Sequence, residues 1–324
     1  MIEKISFEFA GERLDLFVWK FFENLSRNKI QESIQRGHVL VNEKREKKSY
    51  LLRENDEISI NEEKVLEENS RNLTVIPQEI PLDIIWEDEN YIAINKPAHL
   101  TVHPAIWQKS GTLLNGLYFY ADCSVEKFTP KLVHRLDKDT SGIIVAAKSD
   151  NAHEKLAEKF ANREIYKKYF GICTGKFPNE MSGVMEFPIG RDKKDPLKRA
   201  VNFENGREAR TDYEIINYES GIYFTSFRLH SGRTHQIRVH CSHCGFPIIC
   251  DEMYGGNKEK IKFLQQENRP FALKIYDCFS RQALHARRLA FEHPFTKEEI
   301  SLTAPFPADF EKAIEIIGVS KDFL

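Results

Sequence analysis

The chain has 324 residues, 41% hydrophobic and 30% charged, with a formal net charge of −2. This is the composition of an ordinary globular protein, long enough for one large domain and a small one. It argues against a protein that coats nucleic acid indiscriminately, and no run approaches the ~20 apolar residues of a membrane span.

Met1-Ile2-Glu3-Lys4 lacks the basic start, apolar core and cleavage site of a signal peptide, so a cytoplasmic location is expected. Leu14, Phe17, Val18 and Phe21 then recur at helical spacing. Ser26 is placed to cap a second helix, Arg27 to Gln35, with Ile30 and Ile34 on one face and Gly37 at its end. Val39-Leu40-Val41-Asn42 predicts a short strand and turn, and Ile58-Ser59-Ile60 a closing strand. Residues 27–53 carry eight Lys or Arg against three Glu, a net +5 in one short segment. Residues 63–81, polar, charged and punctuated by Pro77 and Pro81, predict a linker between a module at 1–62 and a larger domain at 82–324.

From residue 82 the rhythm becomes strand-like: Asp83–Glu87, Tyr91–Asn95, Ile143–Lys148, Tyr166–Thr174, Ala209–Asn217, Tyr223–Leu229 and His235–Cys241. One helix is predicted over Ala152–Asn162, capped by Ser149 or Asp150, and a closing helix over Ala308–Ile317. Many strands with few helices predict an α+β domain on a mixed or antiparallel sheet with flanking helices, beside a small α/β N-terminal module. Six scattered cysteines are too sparse for a disulfide scaffold. Cys241-x-x-Cys244 lacks the second ligand pair of a structural zinc site, so buried free thiols and no metal are expected.

The chemistry concentrates in His134-Arg135-Leu136-Asp137-Lys138-Asp139-Thr140-Ser141-Gly142, which runs directly into an apolar strand. Alone, Arg-x-Asp before a strand is most often a surface ion pair. The string resembles, without a break, the H-R-L-D-x-x-T-S-G signature of the RluA-type pseudouridine synthases. That resemblance implies that Asp137 is the catalytic carboxylate and that Arg135 holds the displaced RNA. His134 and Thr140 fall with them among the substrate-contacting residues. No other Asp or Glu stands in a comparable setting: Asp139 lies in the turn and Asp251 near a loop. A lone carboxylate fits isomerisation better than glycoside hydrolysis, which takes two.

Gly232-Arg233-Thr234-His235-Gln236-Ile237-Arg238-Val239-His240 reads as an amphipathic strand, with Ile237 and Val239 on one face and Gln236, Arg238 and His240 on the other. It also resembles the family's G-R-T-H-Q-[IL]-R-V-H. Arg238, with Arg233 as fallback, is thereby expected to pair with Asp137, favouring its charge and orienting it, and Ile237 to line the uracil pocket. Lys167-Lys168-Tyr169 resembles K-x-Y, which implies that Tyr169 stacks on the target base and Lys167 meets a carboxylate or phosphate. Asn95-Lys96-Pro97 with Val102-His103-Pro104 resembles K-P-x-G-x-x-V-H-P, with His99 or Leu100 where Gly is usual. Pro247-Ile248-Ile249-Cys250-Asp251, continuing to Tyr254-Gly255, resembles P-I-x-G-D, with Cys250 in place of Gly.

Arg13-Leu14-Asp15, Ser26-Arg27, Ile34, Gly37-x-Val39-x-Val41-Asn42 and Asp56-x-Ile58 resemble the RNA-binding module first seen in ribosomal protein S-four. Arg13, Arg27, Lys29, Arg36, Lys44, Arg45, Lys47 and Lys48 are its candidate phosphate contacts. The resemblance implies a monomeric, cofactor-free isomerase that makes pseudouridine in structured RNA. Large-subunit ribosomal RNA ranks first and transfer RNA second, with no membrane partner. A catalytically inactive RNA-binding protein of the same fold and a nucleoside hydrolase are the rival classes.

Overall fold

In the computed structural model the described residues are 2–22, 27–62, 64–65, 75–104, 108–176, 178, 180–192, 195 and 198–320. The expected cap Ser26 and most of the expected linker, Glu63 and residues 66–74, lie outside them. The chain forms two compact units, Met1–Thr74 and Val75–Leu324.

In the first unit, strands β1 (Ile2–Lys4), β2 (Val39–Val41) and β3 (Glu57–Ile60) make an antiparallel sheet in the order β1-β3-β2. Helices α1 (Leu14–Trp19) and α2 (Arg27–Arg36) complete the unit. The spacing of Ile30 and Ile34 buries both against Leu14, Val18, Val39 and Ile58. Each side chain so buried contributes on the order of 1.5–3 kcal/mol. Gly37 ends α2 at φ +81°, where only a residue without Cβ is unstrained and where the Arg45 side chain packs close. Phe21 falls beyond α1 and is exposed; Phe22 fills the core instead. Val65 also packs into this core.

The second unit contains β4 (Ile84–Glu87), β5 (Tyr91–Lys96), α3 (Leu113–Cys123), β6 (Lys131–Leu132), β7 (Ser141–Ala147), α4 (Asp150–Ala161), β8 (Tyr166–Thr174) and β9 (Ser182–Glu186). It continues with β10 (Ile189–Arg191), β11 (Arg199–Val201), β12 (Arg210–Glu219), β13 (Ile222–Leu229), α5 (Gln236–His243), α6 (Arg269–Tyr276), β14 (Leu284–Glu292), β15 (Glu299–Thr303) and α7 (Ala308–Ile317). Ten strands form one mixed sheet along β4-β5-β7-β14-β8-β13-β12-β9, with β15 on β14 and β6 on β7. The β7–β14 pair is parallel and the others antiparallel. No helix among the described residues is long and apolar enough to cross a membrane.

Strand β7 is buried along its whole length because both faces are covered. Ile144 and Ala146 enter the core with Leu113 and Leu117; Ile143, Val145 and Ala147 enter another with Leu156 and Leu289. Gly142 sits where β7 meets β14, at φ +114°, and a Cβ there would run into the backbone of Ala286.

The strand expected over His235–Cys241 is a helix, α5. Its residues Gln236 to Cys241 are all buried, so both of the faces read from the sequence point into protein. Burial on every side erases the polar/apolar period from which a helix is recognised. The turn before it is fixed by Gln236, whose Oε1 accepts from Ser231 Oγ and the Arg233 N–H. Gln236 Nε2 donates to the Arg210 carbonyl and to Thr211 Oγ1.

Candidate active site

The loop between β6 and β7 carries Asp137. Its backbone turns tightly, the Thr140 N–H donating to the Asp137 carbonyl at 3.1 Å. Two buried cations grip the turn by its carbonyls. Lys96 Nζ donates to Lys138 O at 3.0 Å and also to Pro97 O and Leu100 O. Arg281 Nη1 donates to Asp139 O at 3.0 Å, while Asp309 holds the same guanidinium. Burial pulls the Lys96 ammonium down to about 7, and the nearby Arg281 charge adds to this.

Asp137 is brought against α5. Arg238 Nη1 donates to Asp137 Oδ2 at 3.0 Å across 101 residues of sequence. The same guanidinium forms a two-bond clasp with Asp251, Nε to Oδ2 at 2.6 Å and Nη2 to Oδ1 at 2.9 Å, and covers the Tyr254 ring at 4.9 Å. Burial opposes the Arg238 charge, but Asp251 and Asp137 more than restore it and raise its pKa. A second carboxylate, which sequence alone places no nearer than a loop, therefore shares Arg238 with Asp137. It is 1% exposed and stands behind the guanidinium, outside the cleft that Asp137 lines.

That cleft, of about 80 Å³, is lined by Asp137, Tyr169, Ile237, His235, Arg135 and Arg233, among others. Tyr169 on β8 is 8% exposed; burial and the Asp137 charge raise its phenol pKa, so it stays neutral. Ile237 on α5 is buried at the cleft wall. A second cleft of about 450 Å³ shares Arg135, Tyr169 and Arg233 and adds Lys167, His103 and Phe160. Burial lowers the Lys167 ammonium to about 8, and its Nζ lies 5.6 Å from the Phe160 ring centre. Arg135 is exposed on the rim shared by both clefts. Arg233 does not reach Asp137 by any described contact; its Nε donates to Glu208 O at 3.0 Å.

His134 borders the larger cleft and Thr140 the smaller, and each is also tied into the scaffold. His134 Nε2 accepts the Val145 N–H at 2.9 Å and its ring stacks on Phe160. Burial, then the Lys167 charge, push its pKa down to about 3, so the ring is neutral. Thr140 is buried in the turn, its Oγ1 accepting from Gln282.

His235 and Tyr254 fall within the resembling motifs, but the sequence assigns neither a role. His235 sits at φ +57°, and its Nδ1 is 2.7 Å from the Tyr254 hydroxyl. The two glycine departures also stand at positive φ, His99 at +64° and Cys250 at +58°, so the turns survive without glycine. His99 Nδ1 pairs with Asp139 at 2.9 Å.

The cysteines are free, and among the described residues no three metal-ligating side chains gather to hold an ion. In the first unit, buried Asp15 organises the basic face: Arg13 and Arg27 donate to it, as does Gln31, which in turn accepts from Lys48. These bonds lower the Asp15 carboxyl to about 2 against the opposing effect of burial. Lys44, Arg45 and Lys47 are exposed.

Comparison with known proteins gives the family. Residues 90–243 match the family model described as RNA pseudouridylate synthase, and residues 12–58 match the S4 domain model. A protein of Chlorobaculum parvum described as an uncharacterized RNA pseudouridine synthase is 39% identical over 94% of each chain. The ribosomal large subunit pseudouridine synthase D of Buchnera aphidicola is 38% identical over 94% of this chain and 93% of its own. Among solved structures, human RNA pseudouridylate synthase domain containing 4 superimposes with a TM-score of 0.57 at 26% identity, over 73% of this chain and 93% of that one. The chain belongs to the RNA pseudouridylate synthase family, as an isomerase that acts on RNA.

Proposed function

We propose that this protein isomerises uridine to pseudouridine in large-subunit ribosomal RNA, with Asp137 as the reacting carboxylate. The observation that carries the proposal is the placement of Asp137. It is anchored at Oδ2 by Arg238, is otherwise open to a cleft walled by Tyr169 and Ile237, and sits beneath a basic rim. The bond from C1′ to N1 breaks and one from C1′ to C5 forms; the C5 proton leaves and N1 gains one, so no atom is lost or added. Arg238 keeps Asp137 aimed, the Tyr169 ring offers a stacking face to the flipped base, and Ile237 closes the pocket. Arg135, Arg233 and Lys167 meet the phosphates flanking the target. The first unit adds sequence-blind affinity through Arg13, Arg27, Lys29, Arg36, Lys44, Arg45, Lys47 and Lys48. The ribosomal assignment draws on the named relative and on the appended S4 domain.

The test is to map pseudouridines in ribosomal and transfer RNA from cells with and without the protein, and with Asp137→Asn. The expected result is loss of discrete sites in large-subunit RNA in the deletion and the Asp137→Asn strain alike, with near-normal RNA affinity of the purified variant. Loss confined to transfer RNA would refute the substrate, and turnover by Asp137→Asn would refute the role of Asp137.

A further inference from the structure

The two oxygens of Asp137 face different partners. Arg238 holds Oδ2, whereas Oδ1 looks across 3.8 Å to His235 Nε2. That gap is too long for a hydrogen bond. Both residues border the small cleft.

The tautomer of His235 follows from its other side. The Arg199 N–H donates to the Tyr254 hydroxyl oxygen at 2.9 Å. The Tyr254 hydroxyl proton then has His235 Nδ1, at 2.7 Å, as its acceptor among the described residues. Nδ1 is therefore the unprotonated nitrogen, and a neutral His235 carries its proton on Nε2, aimed at the cleft. Burial lowers the His235 pKa; of the charges facing it, Asp137 and Asp251 raise it while Arg238 and Arg135 lower it, and the net direction is toward the neutral ring. At His235 the left-handed backbone turns the chain from the Arg233–Thr234 loop into α5, and the bond to Tyr254 holds the ring with Nε2 toward Asp137.

A donor and an acceptor 3.8 Å apart are bridged by one atom about 2.8 Å from each, provided that atom both accepts and donates. A hydroxyl does both. In a uridine within an RNA strand the 3′ oxygen is esterified, which leaves the ribose 2′-hydroxyl. The bond that is broken and remade is at C1′, and the 2′-hydroxyl is on the adjoining carbon, within reach of an Oδ1 that works there.

We propose that His235 Nε2–H and Asp137 Oδ1 together clasp the ribose 2′-hydroxyl of the target nucleotide, with Tyr254 fixing the histidine tautomer. His235 is thus a specificity-determining residue that distinguishes ribose from deoxyribose at the reacting position. This deepens the reading above and rests on it.

The probe is a synthetic RNA stem-loop spanning a uridine mapped as a product, made with ribose, 2′-deoxyribose or 3-methyluracil at that one nucleotide. Single-turnover conversion is measured for the full chain as wild type, His235→Asn and Tyr254→Phe; Asn tolerates the left-handed backbone at 235. For wild type the deoxyribose probe is expected to react on the order of 10- to 100-fold more slowly, the worth of a hydrogen bond to a charged group. His235→Asn should lose a similar factor on the ribose probe and show little further loss on the deoxyribose one, and Tyr254→Phe should fall between. A deoxyribose penalty of equal size in wild type and His235→Asn overturns the proposal while leaving the enzyme assignment intact. So does a penalty that His235→Asn removes only for 3-methyluracil, which would mean recognition of the base edge. No conversion of any ribose probe by the wild type would instead remove the underlying reading, and this inference with it.

Discussion

Replacing Asp251 by Asn removes the charge behind Arg238 while keeping the side chain's shape. Arg238 is 8% exposed and Asp251 1%, so solvent cannot replace the lost partner. Breaking a buried ion pair by removing one member costs about 3–5 kcal/mol, because a charge is stranded. Asp251 supplies two of the three described carboxylate bonds of Arg238, but Asp137 keeps the third, so the cost falls toward the lower end of that range. For a unit of this size each kcal/mol lowers Tm by about 2–4 °C, so a loss of about 3 kcal/mol should make Asp251→Asn melt roughly 6–12 °C below wild type. Calorimetry or circular dichroism would measure it. The decisive comparison is with the double variant, Arg238→Met together with Asp251→Asn. With no stranded cation it should recover at least about 2 kcal/mol relative to the sum of the single losses. Additive losses, or a single-variant loss below about 1 kcal/mol, would refute the view that Asp251 anchors a buried charge.

Three further outcomes are expected. The His134 pKa, near 3 in the fold, lies below its unfolded value of about 6.5. The unfolded chain therefore binds more protons between these values, and the stability from this site is present above pH 6.5 and lost as pH falls toward 3. Urea midpoints across pH 4–7 should fall less steeply with acid in His134→Phe than in wild type. Gly142→Ala should cost more than about 3 kcal/mol, read from Tm, because the added methyl meets the Ala286 backbone and the φ of +114° suits only glycine. Changing Lys44, Arg45 and Lys47 together to Gln should lower the slope of log K against log salt for RNA binding by about 2, at ~0.7 per phosphate contact on single strands. An unchanged slope would move the RNA face elsewhere.

What is legible in the sequence follows from local spacing. Ile30 and Ile34 announce α2 because one face is solvated and the other is not. Tyr166–Thr174 coincides with β8 after the polar run Asn162-Arg163-Glu164, and Ala308–Ile317 with α7 between Pro307 and Gly318. Helix α5 reads as a strand because protein surrounds it, so Ile237 and Val239 alternate with polar residues that are equally buried. Helix α3 gives no clear signal although Thr112 and Asn115 form its capping box; an apolar face built of Leu, Tyr and Phe offers little contrast. Arg238 is reached through a resemblance, whereas the role of Asp251 depends on a left-handed turn at Cys250 followed by a short 3-10 turn. Such backbone geometry leaves no period in the sequence. His235 is hidden for a similar reason: its meaning comes from Arg199 and Tyr254, which are distant along the chain.

The unequal division of Arg238 between its two carboxylates has a consequence for motion. Asp251 locks the guanidinium in plane and position with two bonds, whereas a single bond tethers Asp137 to it. A carboxylate tied at one oxygen keeps a pivot about that tie, which a guanidinium clasped by two bonds lacks. With Asp137 as the reacting carboxylate, as proposed above, isomerisation would present it with two successive arrangements, one with nitrogen at the sugar carbon and one with carbon there. On that proposal a fixed bearing with a movable arm would let one acid group follow the base as it turns, without the site around it being rebuilt between the two bonds.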